Sequence, residues 1–316
     1  MHGVKRVLAL GEFARAALGF YSSGAVLAVF RRSFYVRFGP HAVCFGPLGL
    51  GKGPINLLVA MPDDVEWPLL GLAPQQEVLS SGTTVSVADR LRFDVARAEV
   101  WRPPRPPRFS LEDLRAGLKL LSSSLLRRSA GGLGATLIGL DMLPDWPGMS
   151  NDPLLQTARR PMREVADWLL RALQREDELP PRSLQSLIGL GPGLTPSGDD
   201  FICGVMVALH YFRLRYAACK LAEAVLPIAA RETNIISSQF LQCAAGGEAS
   251  SALFETLDAI LTCHDLEQRL DVIDAIGHSS GWDSLAGAAL VCAAVAQSHQ
   301  PSARNLALEG SRFRLN

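Results

Sequence analysis

Net charge is the first thing this 316-residue sequence lacks, since 31 Lys and Arg balance 31 Asp and Glu. Without a basic or acidic excess there is no electrostatic footprint for generic binding to nucleic acid or to an acidic membrane surface. Lysine is scarce: only Lys5, Lys52, Lys119 and Lys220 occur, so 27 of the 31 cations are arginine. Arginine suits bidentate capture of carboxylate or phosphate, but the bias equally fits a GC-rich genome, which is the simpler reading. The six cysteines form no C-x-x-C pair, and most lie in apolar runs where a free thiol behaves as a small hydrophobe. That excludes a zinc ribbon and implies a reducing compartment. His2, His41, His210, His264 and His299 have no metal-ligand spacing. No uninterrupted apolar run approaches a membrane span. Glu12 and Arg15 break the N-terminal apolar stretch, which makes a poor signal peptide. A soluble, cytoplasmic protein is expected.

What is present is enough apolar material for a sizeable core, 48% of residues, in one large domain or two ordinary ones. Residues 4–18 read as a short helix or an irregular entry. From Ala25 the pattern changes to short β-branched and aromatic runs: A-V-L-A-V-F, S-F-Y-V-R-F, A-V-C-F, I-N-L-L-V-A, T-T-V-S-V, L-R-F-D-V and A-E-V-W. Glycine, proline and basic residues separate the first of them, as in a meander. R-P-P-R-P-P-R at 102–108 is an extended, semi-rigid connector. Beyond it the chain turns helical. S-L-E-D at 110–113 opens with a capping box, and Met162, Val165, Leu169 and Leu173 share one helix face. Further helices are expected near 182–188, 199–213, 215–229, 232–245, 250–263, 265–276 and 281–298, with a frayed tail beyond Pro301. The expected class is α+β: a β-rich domain over 1–101, a linker over 102–108 and a mainly α-helical domain over 109–316.

The most constrained stretch is G-L-G-P-G-L-T-P-S-G-D-D-F-I-C-G, residues 189–204. Its glycines permit backbone angles unfavourable to other residues, and Pro192 and Pro196 fix φ and remove two donors. The loop runs into an apolar helix. Ser197 is expected at the N-cap, with Asp200 completing a Ser-x-x-Asp box. Free N–H groups and the positive end of the helix dipole then favour a small anion there. Asp199 and Asp200 would repel a phosphate, and fit better as a cap together with a general base, a metal ligand or a partner for a substrate N–H. The bland alternative is a well-capped helix after a tight loop.

A second stretch, G-H-S-S-G-W-D-S-L-A-G at 277–287, repeats the pattern S-G-x-D-x-x-x-G. Ser197 aligns with Ser280, Gly198 with Gly281, Asp200 with Asp283 and Gly204 with Gly287. Glycine inside a helix costs roughly 1 kcal/mol against alanine, so its recurrence implies close packing or backbone approach. The two helices are expected to pack together and bring both starts to one site, unless these are two unrelated capping boxes. Between them, Arg231, Thr233, Asn234, Ser237 and Ser238 can bind a carboxylate or amide, or can simply cap a helix. His278 is the one histidine inside a motif, a general acid/base or substrate contact if it is not structural. F-G-P-L-G-L-G-K-G-P-I-N at 45–56 lacks Walker spacing, which argues against nucleotide binding. It reads as a wide hairpin turn, or less readily as a loop touching ligand through Lys52 or Asn56.

The order of these three elements, G-L-G-P-G-L-T-P-S-G-D-D, then T-N-I-I-S-S-Q-F-L-Q-C-A-A-G-G, then G-H-S-S-G-W-D-S-L-A-G, resembles the AllH-like family. The resemblance is sharpest over 187–290. The named member is a subunit of oxamate carbamoyltransferase from anaerobic allantoin breakdown, a branch of purine catabolism. The resemblance implies carbamoyl transfer between oxalurate with phosphate and oxamate with carbamoyl phosphate, or a related small amide or carboxylate, within a multi-subunit enzyme. Asp200, Asp283 and His278 are then the catalytic candidates. Gly191, Gly193, Thr195, Ser197, Gly198, Asp199, Thr233, Asn234, Ser237, Ser279, Ser280 and Gly281 are the substrate-binding candidates. The residues name no particular cofactor, and Mg²⁺ on Asp199, Asp200 or Asp283 stays open. Nothing resembles the S-T-R-T loop of the ordinary carbamoyltransferases. The alternative is a non-catalytic subunit that binds a small anion or assembles partner chains.

Overall fold

A computed structural model of the chain describes residues 3–88, 90–140, 146, 150–174 and 178–298. Strands occupy the first third and helices the rest. The predicted frayed tail beyond Pro301 lies outside the described residues.

The first third is a barrel. Its strands are β1 (Lys5–Gly11), β2 (Ser23–Val29), β3 (Phe34–Phe38), β4 (His41–Pro47), β5 (Asn56–Val59), β6 (Glu77–Ser80), β7 (Thr84–Val87), β8 (Leu91–Asp94) and β9 (Glu99–Trp101). Hydrogen bonding runs β5-β4-β3-β2-β6-β7-β8-β1, and β1 then pairs with β5 to close the ring. Strand β1 does this by dividing one of its edges. Its start lies beside β8 (Lys5 opposite Phe93) and its end beside β9 (Ala9 opposite Glu99), with β5 on the other side. Alternation points one face inward. Phe34, Val36 and Phe38 of β3 are buried while Arg37 between them is exposed. Phe34, Phe45, Trp67 and Phe93 fill the interior, with the Phe34 and Phe45 ring centroids 4.7 Å apart.

Two expectations are corrected here. Residues 4–18 form β1 followed by helix α1 (Glu12–Phe20), because V-L-A-L is paired on both sides by strands from later in the chain. The loop at 45–56 is not a hairpin turn, since β4 and β5 run parallel. Lys52 Nζ bonds Glu99 at 2.9 Å, and Asn56 Nδ2 bonds the Gly51 carbonyl at 2.9 Å. The loop instead joins the two halves. The Gly53 and Pro54 carbonyls press on Gly11, where a methyl group would overlap them, and the Lys52 carbonyl accepts from Ser251 N–H at 2.8 Å.

The helices are α2 (Leu111–Leu125), α3 (Pro153–Ala172), α4 (Ser197–Tyr211), α5 (Arg215–Glu232), α6 (Ile235–Ala245), α7 (Ser251–Thr262), α8 (Leu266–Asp274) and α9 (Ser280–Ser298). The Ser110–Asp113 capping box opens α2 as the sequence predicts. Met162, Val165 and Leu169 face the core. At the centre lie α4 and α9, buried along nearly their whole length. Their runs of small residues let the backbones come close. A methyl on Gly204 would overlap the Ser284 carbonyl, and one on Gly287 would overlap the Phe201 carbonyl. The two aligned glycines therefore form one reciprocal crossing. At the other aligned pair, a methyl on Gly198 would overlap the Leu187 carbonyl and one on Gly281 the Ile273 carbonyl.

Gly204→Ala or Gly287→Ala should force α4 and α9 apart and cost about 3 kcal/mol or more, in the upper range for overpacked cores. Gly19→Ala in α1, whose added methyl meets nothing within 4 Å, should instead gain roughly 0.5–1 kcal/mol from helix propensity. Urea midpoints of the three variants check the contrast.

Candidate functional site

The close crossing sets the two motif starts side by side. Gly189, Gly191 and Gly193 all have positive φ (74°, 111° and 96°), so the approach to α4 is a shaped loop that alanine would strain. Helix α4 begins at Ser197, with Pro196 as its N-cap. The predicted Ser197–Asp200 capping box is therefore absent. Pro196 supplies its carbonyl to the Asp199 and Asp200 N–H groups at 2.9 and 3.1 Å, and Ser197 is already inside the helix. Helix α9 likewise begins at Ser280, so that serine is a helical residue as well.

The freed serines serve each other's motif. The Ser197 hydroxyl faces the Asp283 carboxyl and the Ser280 hydroxyl faces the Asp200 carboxyl, each favouring its charged form. Thr195 Oγ1 lies 2.7 Å from Ser280 Oγ, and its hydroxyl also favours the charged form of Asp200. The four aligned positions are thus a twofold-like pair in both packing and polar contacts. This is the shared arrangement of helix starts that the repeat implies.

The three aspartates have different fates. Asp199 is fully buried. Its Oδ1 accepts from Gly189 N–H at 2.8 Å, and its Oδ2 accepts from the Thr233 and Ser237 hydroxyls at 2.6 Å each. It is the clasp that holds the glycine loop to α6. Asn234 caps α6, accepting from Ile236 and Ser237 N–H, and its Nδ2 donates to the Leu194 carbonyl at 2.8 Å. Thr233, Asn234 and Ser237 therefore hold the loop in shape. Ser237 is buried rather than solvated, and Arg231 is exposed.

Asp283 is also fully buried and well supplied. Its Oδ1 accepts from Leu133 N–H at 2.6 Å and its Oδ2 from the Ser279 hydroxyl at 2.9 Å. Leu133 belongs to a short 3-10 turn, Gly132–Leu137. Gly132 there has φ 56°, and a methyl on it would overlap Asp283 Oδ1. The Gly131-Gly132 pair was the only trace of this in the sequence.

Asp200 is 7% exposed, yet its Oδ2 is buried and has no hydrogen-bond partner among the described residues. Burial pushes its carboxyl well above the usual carboxylate range. The nearby charges of Asp283 and Asp199 add to this, while the Ser280 and Thr195 hydroxyls pull the other way. Burial likewise raises Asp283, opposed chiefly by Ser279 and by Leu133 N–H. The barrel reaches the same place. Tyr35 of β3 packs with Cys44, Ile55, Cys243 and Phe240 at the junction of the two halves. Its phenol is raised by burial, by Cys44 and by the Asp200 charge.

The open side is the loop itself. The N–H groups of Gly191, Gly193, Leu194, Thr195 and Ser197 have no hydrogen-bond partner among the described residues. The Gly198 and Gly281 N–H groups are already bonded to the Leu190 and Ile276 carbonyls, so these two expected donors are taken. His278 is exposed in the turn before α9. Among the described residues, no three His, Cys, Asp or Glu side chains are grouped to hold a metal ion. Recesses of about 280 and 440 Å³ open on the barrel around Ser81 and Arg97, and neither touches the motifs. No helix among the described residues is long and apolar enough to cross a membrane.

Two outcomes follow. Asp199→Ala leaves an N–H and two hydroxyls unpaired in the interior and should cost roughly 3 kcal/mol or more. The folded Asp200 lies above its ordinary value of 3.8. The stability it contributes is therefore present below that value and lost as pH rises through the folded pKa. Asp200→Asn removes this titration, so the variant should gain on the wild type as pH rises from about 4 towards 8. Denaturant midpoints across that range read both.

No solved structure matches the chain. Residues 187–292, which span both helix starts, the Asp199 clasp and the glycine crossing, match the family model described as oxamate carbamoyltransferase subunit AllH.

Proposed function

We propose that the chain is a subunit of a carbamoyltransferase and that its small anionic substrate docks at the paired starts of α4 and α9. The observation that carries this is the direct link between the two helix starts, Thr195 Oγ1 to Ser280 Oγ at 2.7 Å beside the reciprocal glycine crossing, which lies wholly inside the family-matched segment. Such a link holds two helix starts in fixed relation. The N–H groups of Gly191, Gly193, Leu194, Thr195 and Ser197 lie beside it without a hydrogen-bond partner among the described residues. Donors placed before the ligand arrives stabilise an oxyanion without reorganising, which is how acyl-type transfer is commonly assisted.

The roles divide by environment. The loop N–H groups take the carboxylate or phosphoryl oxygens. Asp200, at the bottom, is the candidate acid/base group. Asp283 and Asp199 hold the walls and are not reacting groups in this reading. His278, exposed at the rim, remains a substrate contact. The reaction is the exchange of oxalurate and phosphate with oxamate and carbamoyl phosphate, or that of a close relative. The family's description as a subunit supports an active centre completed by other chains.

A thermal-shift panel on the purified chain tests the reading, using inorganic phosphate, carbamoyl phosphate, oxamate and oxalurate, each with and without Mg²⁺. A ligand at 100 times its dissociation constant should add about 2.7 kcal/mol of stability. A shift with oxamate or carbamoyl phosphate, lost on deleting Gly193 and Leu194, supports it. Shifts that survive the deletion would place the ligand elsewhere.

A further inference from the structure

We infer that the Asp200 carboxyl recognises the N–H of a primary carboxamide or ureido group, so that of the two aligned aspartates only Asp200 contacts substrate. This inference rests on the proposed docking of a small anion at the same helix starts.

It follows from an asymmetry in an otherwise twofold-like arrangement. The two motifs match in their serines, their helix glycines and the carbonyls those glycines press against. Their aspartates differ. Asp283 has a backbone N–H and a serine hydroxyl on separate oxygens. The turn carrying Gly132, Leu133 and Gly134 fills the space before it, and added methyl groups at Gly132 and Gly134 would overlap Asp283 and Trp282. Among the described residues, no backbone N–H is bonded to the Asp200 carboxyl. Its Oδ2 is buried beyond water and meets no donor. An unmet buried oxygen costs about 1–3 kcal/mol, which native interiors rarely tolerate without a use. Leu133 N–H shows what the aligned carboxyl accepts: an N–H donor, at 2.6 Å on Asp283 Oδ1.

The surroundings decide which donor. The groups that act on Asp200 are the Ser280 and Thr195 hydroxyls, the Asp283 and Asp199 charges, the Cys203 thiol further along α4 and, from the barrel, the Tyr35 phenol. No lysine or arginine is among them. A phosphate dianion would meet two carboxylates without a cation and is disfavoured at this depth. An amide N–H is neutral and donates. The hydroxyls can accept as well as donate, so a proton resting on Oδ1 still leaves Oδ2 as an acceptor. The N–H is therefore matched in either protonation state of Asp200. The anionic end of the substrate then lies outward, on the loop donors.

Oxamate and pyruvate separate this idea from the broader one. They share the carboxylate and the adjacent carbonyl and differ by NH₂ against CH₃. Titration calorimetry on the full chain should show oxamate binding at least about tenfold more tightly than pyruvate, since a site built around a hydrogen bond rejects the analogue lacking it. Asp200→Leu keeps the branching of the side chain, removes the acceptor and should erase the preference while the variant still melts cooperatively. Asp283→Leu strands the Leu133 N–H, and its melting temperature should fall. Equal binding of the two ligands, or a preference that survives Asp200→Leu, overturns the inference and leaves the docking site standing. Binding of neither ligand, nor of inorganic phosphate, overturns both.

Discussion

The contact between Gly204 and Gly287 is the constraint on which the rest depends. Two helices buried on nearly all sides meet backbone to backbone, and any side chain there would hold them apart. Close approach in the middle of the helices fixes the distance between their starts. The serines can then reach across to the opposite aspartates, an arrangement a looser crossing would not allow. The same geometry keeps water out. Asp200 and Asp283 are raised because they lie at the ends of an apolar helix pair rather than on a surface.

The barrel is more than an attached module. It touches the helical part through loop 51–54, through His41 Nδ1 at 3.0 Å from Gln239 Oε1, and through the cluster of Tyr35, Cys44, Ile55 and Cys243. These contacts fall on α6 and on the start of α7. Helix α6 is the one whose Ser237 clasps Asp199. The strand array is thereby linked, through one helix, to the loop that precedes α4. Burial at the junction pushes the Cys44 thiol up to about 12, so it is a packing group there and not a nucleophile.

Much of this was legible in the residues, and what was not has identifiable causes. Alternation gave most strands, because one face of a barrel wall is buried and the other is not. The S-G-x-D-x-x-x-G repeat announced two helices that meet, because glycine inside a helix is unfavourable without a reason. The same repeat misassigned its serines. A serine ahead of an apolar helix is ordinarily a cap, and only the partner helix, some eighty residues away, makes it a cross-helix donor. Asp199 and Asp200 are neighbours in sequence with the same side chain, yet successive helix residues point about 100° apart. One therefore faces α6 and the other faces α9. The Leu133 N–H was invisible because a backbone donor has no residue type. Strand β1 was missed because its pairing partners are set by later segments and leave no mark on residues 5–11.

The all-round burial of α4 bears on how the chain is made. Tyr211 ends α4, and Ser280, the first residue of α9, is about seventy residues further on. At roughly 5–20 residues per second, a ribosome needs several seconds to bridge that gap. Throughout it, an apolar helix with an empty groove is exposed in the nascent chain. Helices α5 and α6 emerge in the interval and cover part of α4, but the glycine face waits for its counterpart. The last helix thus acts as the stopper of the fold, and a chain cut short before it would expose the apolar surface most prone to aggregate.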